Sequence, residues 1–213
     1  MIQFFAEAFA LLGLITLYWL QRARREYLKQ RIGNQAIRNV YSVARNIGFM
    51  LSRQDIRVQG DGKILEKGSI LYSFHFGIWE LMPRALEKMG YDLGVLVNRY
   101  AEDNHSRASR FLDNFLERFR SSGKVKVFSR RDTMKIVRFL NCGGILGVLV
   151  DGNHFYAKFG KMQKLGNLCG VPLVPFAAYR KNGSGVLDVG CDLDRIVAQR
   201  PLDYVWFYKS RID

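Results

Sequence analysis

The segment from residue 69 to residue 193 alternates short apolar runs with longer amphipathic stretches, and this alternation constrains the fold most strongly. Strand-like runs lie at 69–74, 92–98, 124–128, 145–151, 171–180 and 186–193. Helical patterns cover 78–90, 103–122 and 132–142; Pro83 requires a place in the first turn of its helix, and Gly90 closes that helix. The alternation predicts an α/β layered fold with a mostly parallel central sheet flanked by helices. A turn at 182–185 predicts that the last two strands form an antiparallel hairpin.

The first twenty residues are apolar apart from Glu7, and a densely basic stretch follows them. A helix of about 20 residues is about 30 Å long, which matches the thickness of a bilayer core. A secretory signal has its positive charges before the apolar run, whereas here they follow it, so this segment does not match a secretory signal. The positive-inside rule then places the rest of the chain in the cytoplasm. We therefore predict an N-terminal membrane anchor helix at 1–20. Glu7 leaves open a helix that lies in the membrane interface.

The remainder divides into a basic amphipathic helical segment at 21–60 and a catalytic domain at 61–213. The formal net charge of +14 implies an anionic partner, such as anionic membrane lipids or an acidic protein. No nucleic acid partner is expected, because basic and aromatic residues are not interleaved in a binding motif. The three cysteines have neither disulfide-framework nor zinc-site spacing, so we expect no metal and a reducing compartment.

Polar residues follow three of the predicted strands, where open α/β sheets gather functional groups. His75 follows the first strand, Asn98 and Arg99 follow the second, and Asp151 follows the fourth. Glu80 comes five positions after His75, and Gly77 permits a tight turn that would return its carboxylate to the imidazole. A carboxylate on one ring nitrogen raises the basicity of the other, which can then take a proton from an alcohol. The pattern predicts general-base catalysis, for which a thioester carbonyl is a suitable electrophile that needs no covalent enzyme intermediate.

The motif HFGIWE at 75–80 resembles the HFGNWE motif of the bacterial lipid A late acyltransferases, the lauroyl and myristoyl transferases. That family belongs to the lysophospholipid acyltransferase superfamily, with its His-x4-Asp/Glu signature. Further similar segments are VNRY at 97–100, GGILGVLVDGN at 143–153, GVPLVPFAAYRKNG at 170–183 and RPLDYVWFYKSR at 200–211. The chain departs from the family at Ile78, where asparagine is usual, at 152–153, where glutamine is usual, and in a short segment at 159–170.

The resemblance implies an acyltransferase at the cytoplasmic face of the cell inner membrane. It would move a fatty acyl chain from acyl carrier protein or acyl-CoA to a hydroxyl of a lipid A precursor or related glycolipid, with no other cofactor. The resemblance implies His75 as the base and Glu80 as its partner. Arg99 would bind an anionic group or stabilise developing charge, and Asp151 would shape the site.

Substrate binding is also predicted for Gly77, Trp79 and Asn153. Backbone amides around Gly77 or Gly152, or the Arg99 side chain, are the expected holders of the oxyanion. Two alternatives remain open at this point. The acceptor can be another lipid, such as a lysophospholipid or an ornithine lipid, or the chain can be a catalytically silent membrane-binding relative, as the short segment after Phe159 suggests.

Overall fold

A computed structural model describes residues 35–52, 54–60, 68–97, 124–151 and 155–204, with the single positions 8, 12, 65 and 114. Apart from those single positions, the predicted anchor at 1–20 and the predicted helix at 103–122 lie outside the described residues. The predicted site residues Arg99 and Asn153 also lie outside them. Within the described ranges, no helix has both the length and the apolar character needed to cross a bilayer.

Seven strands form one mixed sheet in the order β1-β7-β6-β2-β5-β3-β4. The strands are β1 (Ile56–Gly60), β2 (Ser69–Ser73), β3 (Leu93–Leu96), β4 (Lys126–Phe128), β5 (Ile145–Leu149), β6 (Leu173–Lys181) and β7 (Ser184–Val189). Strands β2 to β6 are parallel to one another, β7 is antiparallel to β6, and β1 is parallel to β7. The predicted α/β fold with a mostly parallel sheet is therefore confirmed.

Five α-helices and two short 3-10 helices are described around this sheet. The α-helices are α1 (Ala36–Leu51), α2 (Met82–Lys88), α3 (Thr133–Asn141), α4 (Phe155–Cys169) and α5 (Leu193–Gln199). The 3-10 helices are Trp79–Leu81 and Pro201–Asp203. Pro83 lies in the first turn of α2, where a missing N–H costs no helical hydrogen bond, as the sequence required.

The sheet is buried on both faces. Successive residues of a strand point to opposite sides, so neighbouring residues enter different cores. Leu71 of β2 packs into a core formed with α2 and the end of α1. The preceding residue, Ile70, packs into a second core formed with α3, α4 and α5. Burial on two faces explains why the parallel strands read as continuous apolar runs rather than as alternating ones.

Helix α1 confirms the helical prediction for part of the segment 21–60, whereas strand β1 corrects it for the last five residues. Ile56 and Val58 are half-buried, whereas Arg57 and Gln59 are exposed, which is the period of two that a strand on a sheet edge shows. The high charge of the segment hid this short alternation. Helices α4 and α5 were not predicted either; α4 contains two glycines, whose weak helix propensity obscured its pattern.

The hairpin between β6 and β7 is confirmed, with a tighter turn than expected. Lys181 already pairs with Ser184, so the loop is the dipeptide Asn182-Gly183. Both residues have positive φ, 52° and 81°, which is the backbone of a type I′ turn. This turn sets the register that carries β7 out to β1 at the edge of the sheet.

Candidate active site

Two neighbouring parallel strands bring His75 and Asp151 together at the carboxyl edge of the sheet. Ser73 of β2 pairs with Leu149 of β5, so the second residue beyond each pair leaves the sheet at the same level. His75 Nδ1 lies 2.7 Å from Asp151 Oδ1. The backbone N–H of His75 donates to Asp151 Oδ2 at 2.8 Å. One carboxylate therefore holds both the ring and the main chain of His75.

Asp151 is more deeply buried than His75, as is suitable for a carboxylate that orients a partly exposed catalytic base. The Asp151 side chain is 1% exposed, whereas the His75 side chain is 28% exposed. A buried carboxylate is stable only when its oxygens accept hydrogen bonds, and His75 supplies one to each oxygen. With the carboxylate at Nδ1, that nitrogen carries the ring hydrogen and Nε2 becomes the basic atom.

Asp151 occupies the position that the sequence analysis assigned to Glu80. Since Nδ1 bears one hydrogen and that hydrogen points at Asp151, the tautomer-setting carboxylate in this structure is Asp151. Glu80 lies in the 3-10 helix Trp79–Leu81 and is half-buried. That Glu80 takes part in the site stays a prediction, but in a role other than the expected one, the carboxylate that contacts the His75 ring.

In the histidine loop, residues 74–78, the backbone amides of residues 76 to 78 are bonded within the protein. The N–H of Phe76 donates to the Phe74 carbonyl at 2.7 Å, that of Gly77 to the Asp203 carbonyl at 3.0 Å, and that of Ile78 to the Ala178 carbonyl at 2.8 Å. The expectation that amides around Gly77 hold the oxyanion is therefore corrected, because these donors already have acceptors. Gly152 and Arg99, the other expected holders, lie outside the described residues.

Gly77 serves the shape of this loop. Its φ is +60°, and a Cβ at this position would lie 2.1 Å from the Ala178 carbonyl oxygen. Only glycine combines this backbone conformation with so close an approach. The next residue, Ile78, is fully buried in the core beside α2, so this position takes an apolar side chain here.

Trp79 packs against the catalytic candidate. Its ring meets the His75 ring edge-on, with centroids 5.4 Å apart and planes at 68°. The indole Nε1–H is shielded from solvent and has no hydrogen-bond partner among the described residues. The described contact of Trp79 thus restricts the His75 ring, and a contact with substrate stays a prediction.

The half-buried thiols of Cys169 and Cys191 are poor candidates for a covalent acyl intermediate. Burial raises the pKa of the Cys191 thiol to about 12 and also raises the pKa of the Cys169 thiol. A protonated thiol is a weak nucleophile, because the thiolate is the reactive form. Cys142 follows α3 and precedes β5, which puts it at the amino edge of the sheet, away from His75.

A groove of about 280 Å³ lies between β1 and α2. Its apolar lining comes from Ile56, Val58, Leu81, Ala85 and Met89. Leu81 directly follows Glu80, so the groove begins at the end of the HFGIWE motif. At its rim Asp55 forms ion pairs with Arg84 and Lys88.

Among the described residues, no group of three or more His, Cys, Asp or Glu side chains is arranged to hold a metal ion. No protein-family model matches the chain, and no curated protein matches it. The likeness of HFGIWE to the acyltransferase motif thus remains a sequence-based prediction. The case for a function therefore depends on the geometry around His75.

Proposed function

We propose that this chain is a membrane-associated O-acyltransferase that moves a fatty acyl chain from an acyl thioester to a hydroxyl of a lipid A precursor or related glycolipid. The observation that supports this most is the His75–Asp151 pair, with a buried carboxylate on Nδ1 and a partly exposed ring. A histidine held in this way is suited to take a proton from a hydroxyl at neutral pH. The HFGIWE motif favours acyl transfer over other base-catalysed reactions.

In the proposed reaction, His75 Nε2 takes the proton of the acceptor hydroxyl as its oxygen bonds to the thioester carbonyl carbon. The carbonyl becomes a tetrahedral oxyanion, and Asp151 stabilises the imidazolium that has formed. The oxyanion then collapses, the carbon–sulfur bond breaks, and the thiol leaves with the proton from Nε2. The products are the ester and the free carrier thiol, and His75 returns to its starting state.

Arg99 and Gly152 remain the proposed holders of the oxyanion, because the loop amides from Phe76 to Ile78 are bonded to protein carbonyls. Preorganised donors at this position are usually a large part of the rate enhancement in acyl transfer. Asn153 and Trp79 remain proposed substrate contacts beside them. Acyl carrier protein or acyl-CoA is the proposed donor; the chain's net charge of +14 suits the acidic carrier protein.

The proposal is tested by lipid mass spectrometry on the purified protein in detergent or vesicles. Acyl carrier thioester and acyl-CoA are supplied separately, each with a lipid A precursor, a lysophospholipid and an ornithine lipid. A lipid A precursor heavier by one acyl chain supports the proposal. A mass gain confined to one of the other lipids would change the acceptor and keep the chemistry. If no acceptor gains mass with folded protein, the silent membrane-binding relative is favoured.

We also propose that residues 1–20 attach the protein to the inner membrane, with the catalytic domain on the cytoplasmic side. The apolar run and the basic residues after it support this orientation. Deleting residues 1–20 is expected to move the protein from the floating to the soluble fraction in a vesicle flotation experiment. The assay is run at low and high salt, because salt screens the basic stretch and leaves apolar insertion intact. Flotation of the deletion variant at high salt would contradict the anchor.

The groove between β1 and α2 is the proposed place for the acyl chain, because five of its nine lining residues are apolar and it begins beside Glu80. Replacing the half-buried Val58 by tryptophan fills part of this volume and is expected to shift the preferred donor to shorter chains by several-fold. Arg57→Trp is the matched control, since Arg57 is the adjacent residue on the opposite face of β1. Competition between donors of different chain length measures the shift, and an equal preference in both variants would exclude the groove.

A further inference from the structure

The segment 202–204 lies between helix α1 and the histidine loop. On the side of the loop, the Asp203 carbonyl accepts the Gly77 N–H at 3.0 Å. Tyr204 forms an isolated antiparallel bridge with Phe76. The two residues that directly follow His75 are thus held by main-chain contacts with this segment.

On the side of the helix, three polar residues of α1 hold the same segment. The Asn39 amide donates to the Leu202 carbonyl at 2.9 Å and to the Tyr204 carbonyl at 3.0 Å. The Asp203 carboxylate accepts from the Ser42 hydroxyl, and from the Asn46 amide at 3.1 Å. Positions 39, 42 and 46 recur on one helix face, so α1 presents a single polar row to the segment.

Two of the three residues in this polar row are buried and Ser42 is half-buried, so the row is part of the protein interior. Asn39 and Asn46 are 3% and 4% exposed, while Val43 and Phe49 of the same helix belong to the buried apolar residues. Buried amides and carboxylates are tolerated where their hydrogen bonds are made, and each bond fixes a geometry that apolar packing leaves loose. The row therefore determines where residues 202–204 lie relative to α1.

We infer that Asp203 is a positioning residue for His75: its carboxylate fixes the segment to α1, and its carbonyl fixes the loop that carries the imidazole. This inference rests on the proposed function for one of its readouts, the rate of acyl transfer. Asp203 has no described contact with the His75 ring, so it acts through the loop. Asp151 holds His75 from β5, whereas Asp203 holds Gly77 and its neighbour Tyr204 pairs with Phe76.

The test compares Asp203→Ala with Asp203→Asn and with a matched control, Asp132→Ala. The Asn variant keeps an oxygen that accepts from Ser42 and Asn46, so it is expected to restore most of the rate. Asp132 is a suitable control because its similarly shielded carboxylate also accepts several hydrogen bonds, from Ser129 and Lys135. For Asp203→Ala we expect kcat to fall by about 10- to 100-fold with little change in KM, as for a misplaced catalytic group.

A second readout, nitrogen-15 NMR of the histidine rings, does not depend on activity. The chain has three histidines, and a His75→Ala sample identifies the His75 signals. The Nδ1 and Nε2 shifts of His75 are expected to change in Asp203→Ala and to stay at wild-type values in Asp203→Asn and Asp132→Ala. If the wild type transfers no acyl chain, the proposed function fails while the ring signals still decide the role of Asp203.

Three results would overturn the inference. They are unchanged His75 signals in folded Asp203→Ala, an equal change in Asp132→Ala, and no rescue in Asp203→Asn. If Asp203→Ala does not fold, Ser42→Ala removes one donor and leaves the carboxylate in place. A change of the His75 signals from their wild-type values in folded Ser42→Ala supports the inference, and His75 signals identical to wild type in that variant reject it.

Discussion

Replacing His75 by alanine is expected to reduce kcat for acyl transfer by about 10²- to 10⁴-fold, which is the usual worth of a general base. The variant keeps the backbone N–H that donates to Asp151, so the histidine loop retains one of its two bonds to that carboxylate. The imidazole, which receives the hydroxyl proton in the proposed reaction, is lost. The measurement is the rate at which the acceptor lipid gains one acyl mass, with wild type and variant at equal concentration.

The values of kcat and KM in this experiment distinguish a catalytic base from a structural histidine. A base acts mainly in the transition state, so kcat and kcat/KM fall together while KM changes little. His105→Ala is the matched control, because the sequence places that histidine in a polar stretch outside the motif. A His75→Ala variant that keeps the wild-type kcat would remove His75 from the chemistry. Equal losses in the two variants would trace the effect to folding.

Replacing Asp151 by asparagine is expected to lower kcat by about 10⁴-fold, the size of loss found when the aspartate of a Ser-His-Asp triad becomes asparagine. The reason lies in the two bonds that one carboxylate makes. Both Asp151 oxygens accept, one from the His75 ring and one from the His75 backbone N–H. Asparagine has one oxygen, so its NH₂ group must face one of these donors.

Either orientation of the asparagine damages the base. If the amide oxygen accepts from the ring, the NH₂ group opposes the backbone N–H and the loop shifts. If the oxygen accepts from the backbone, the NH₂ group donates to Nδ1, and the ring hydrogen moves to Nε2. Nε2 then has no lone pair to take the hydroxyl proton. Nitrogen-15 NMR distinguishes the two tautomers directly and shows which orientation the variant adopts.

Asp132→Asn is the control for the Asp151 variant. The Asp132 carboxylate also accepts from a backbone N–H and from side chains, at the start of α3. Its substitution is expected to leave kcat near the wild-type value and to affect only stability. If Asp151→Asn retains wild-type activity, Asp151 is a structural residue, and Glu80 becomes the stronger candidate for the partner of His75.

The sequence predicted six of the seven strands and helices α1 to α3, because their apolar periodicity is local. It also placed His75 and Asp151 at strand ends, where functional residues of α/β sheets are usually found. Their contact depends on β2 and β5 being neighbours in the sheet, and strand order is a long-range property that no local pattern contains. Glu80 was preferred as the partner because it is close in the chain, whereas Asp151 is 76 residues away and close in space.

The role inferred for Asp203 was missed for a similar reason. The polar residues 39, 42 and 46 of α1 share one face, which is a signal visible in the sequence. What they bind lies about 160 residues further along the chain, in a segment whose short 3-10 helix has no periodicity of its own. The sequence therefore shows a polar row on α1 but indicates neither its burial nor its partner.

The position of β1 at the edge of the sheet has a consequence for biosynthesis. Gln59 of β1 meets Asp188 of β7 across a separation of 129 residues. During synthesis, β1 leaves the ribosome early and must wait for β7 before its backbone groups find their partners. Contacts this distant in the chain slow folding. If the N-terminal segment enters a membrane during this interval, the sheet is completed next to the bilayer. Strand β1 is then held near lipid, which keeps it from pairing with other nascent chains.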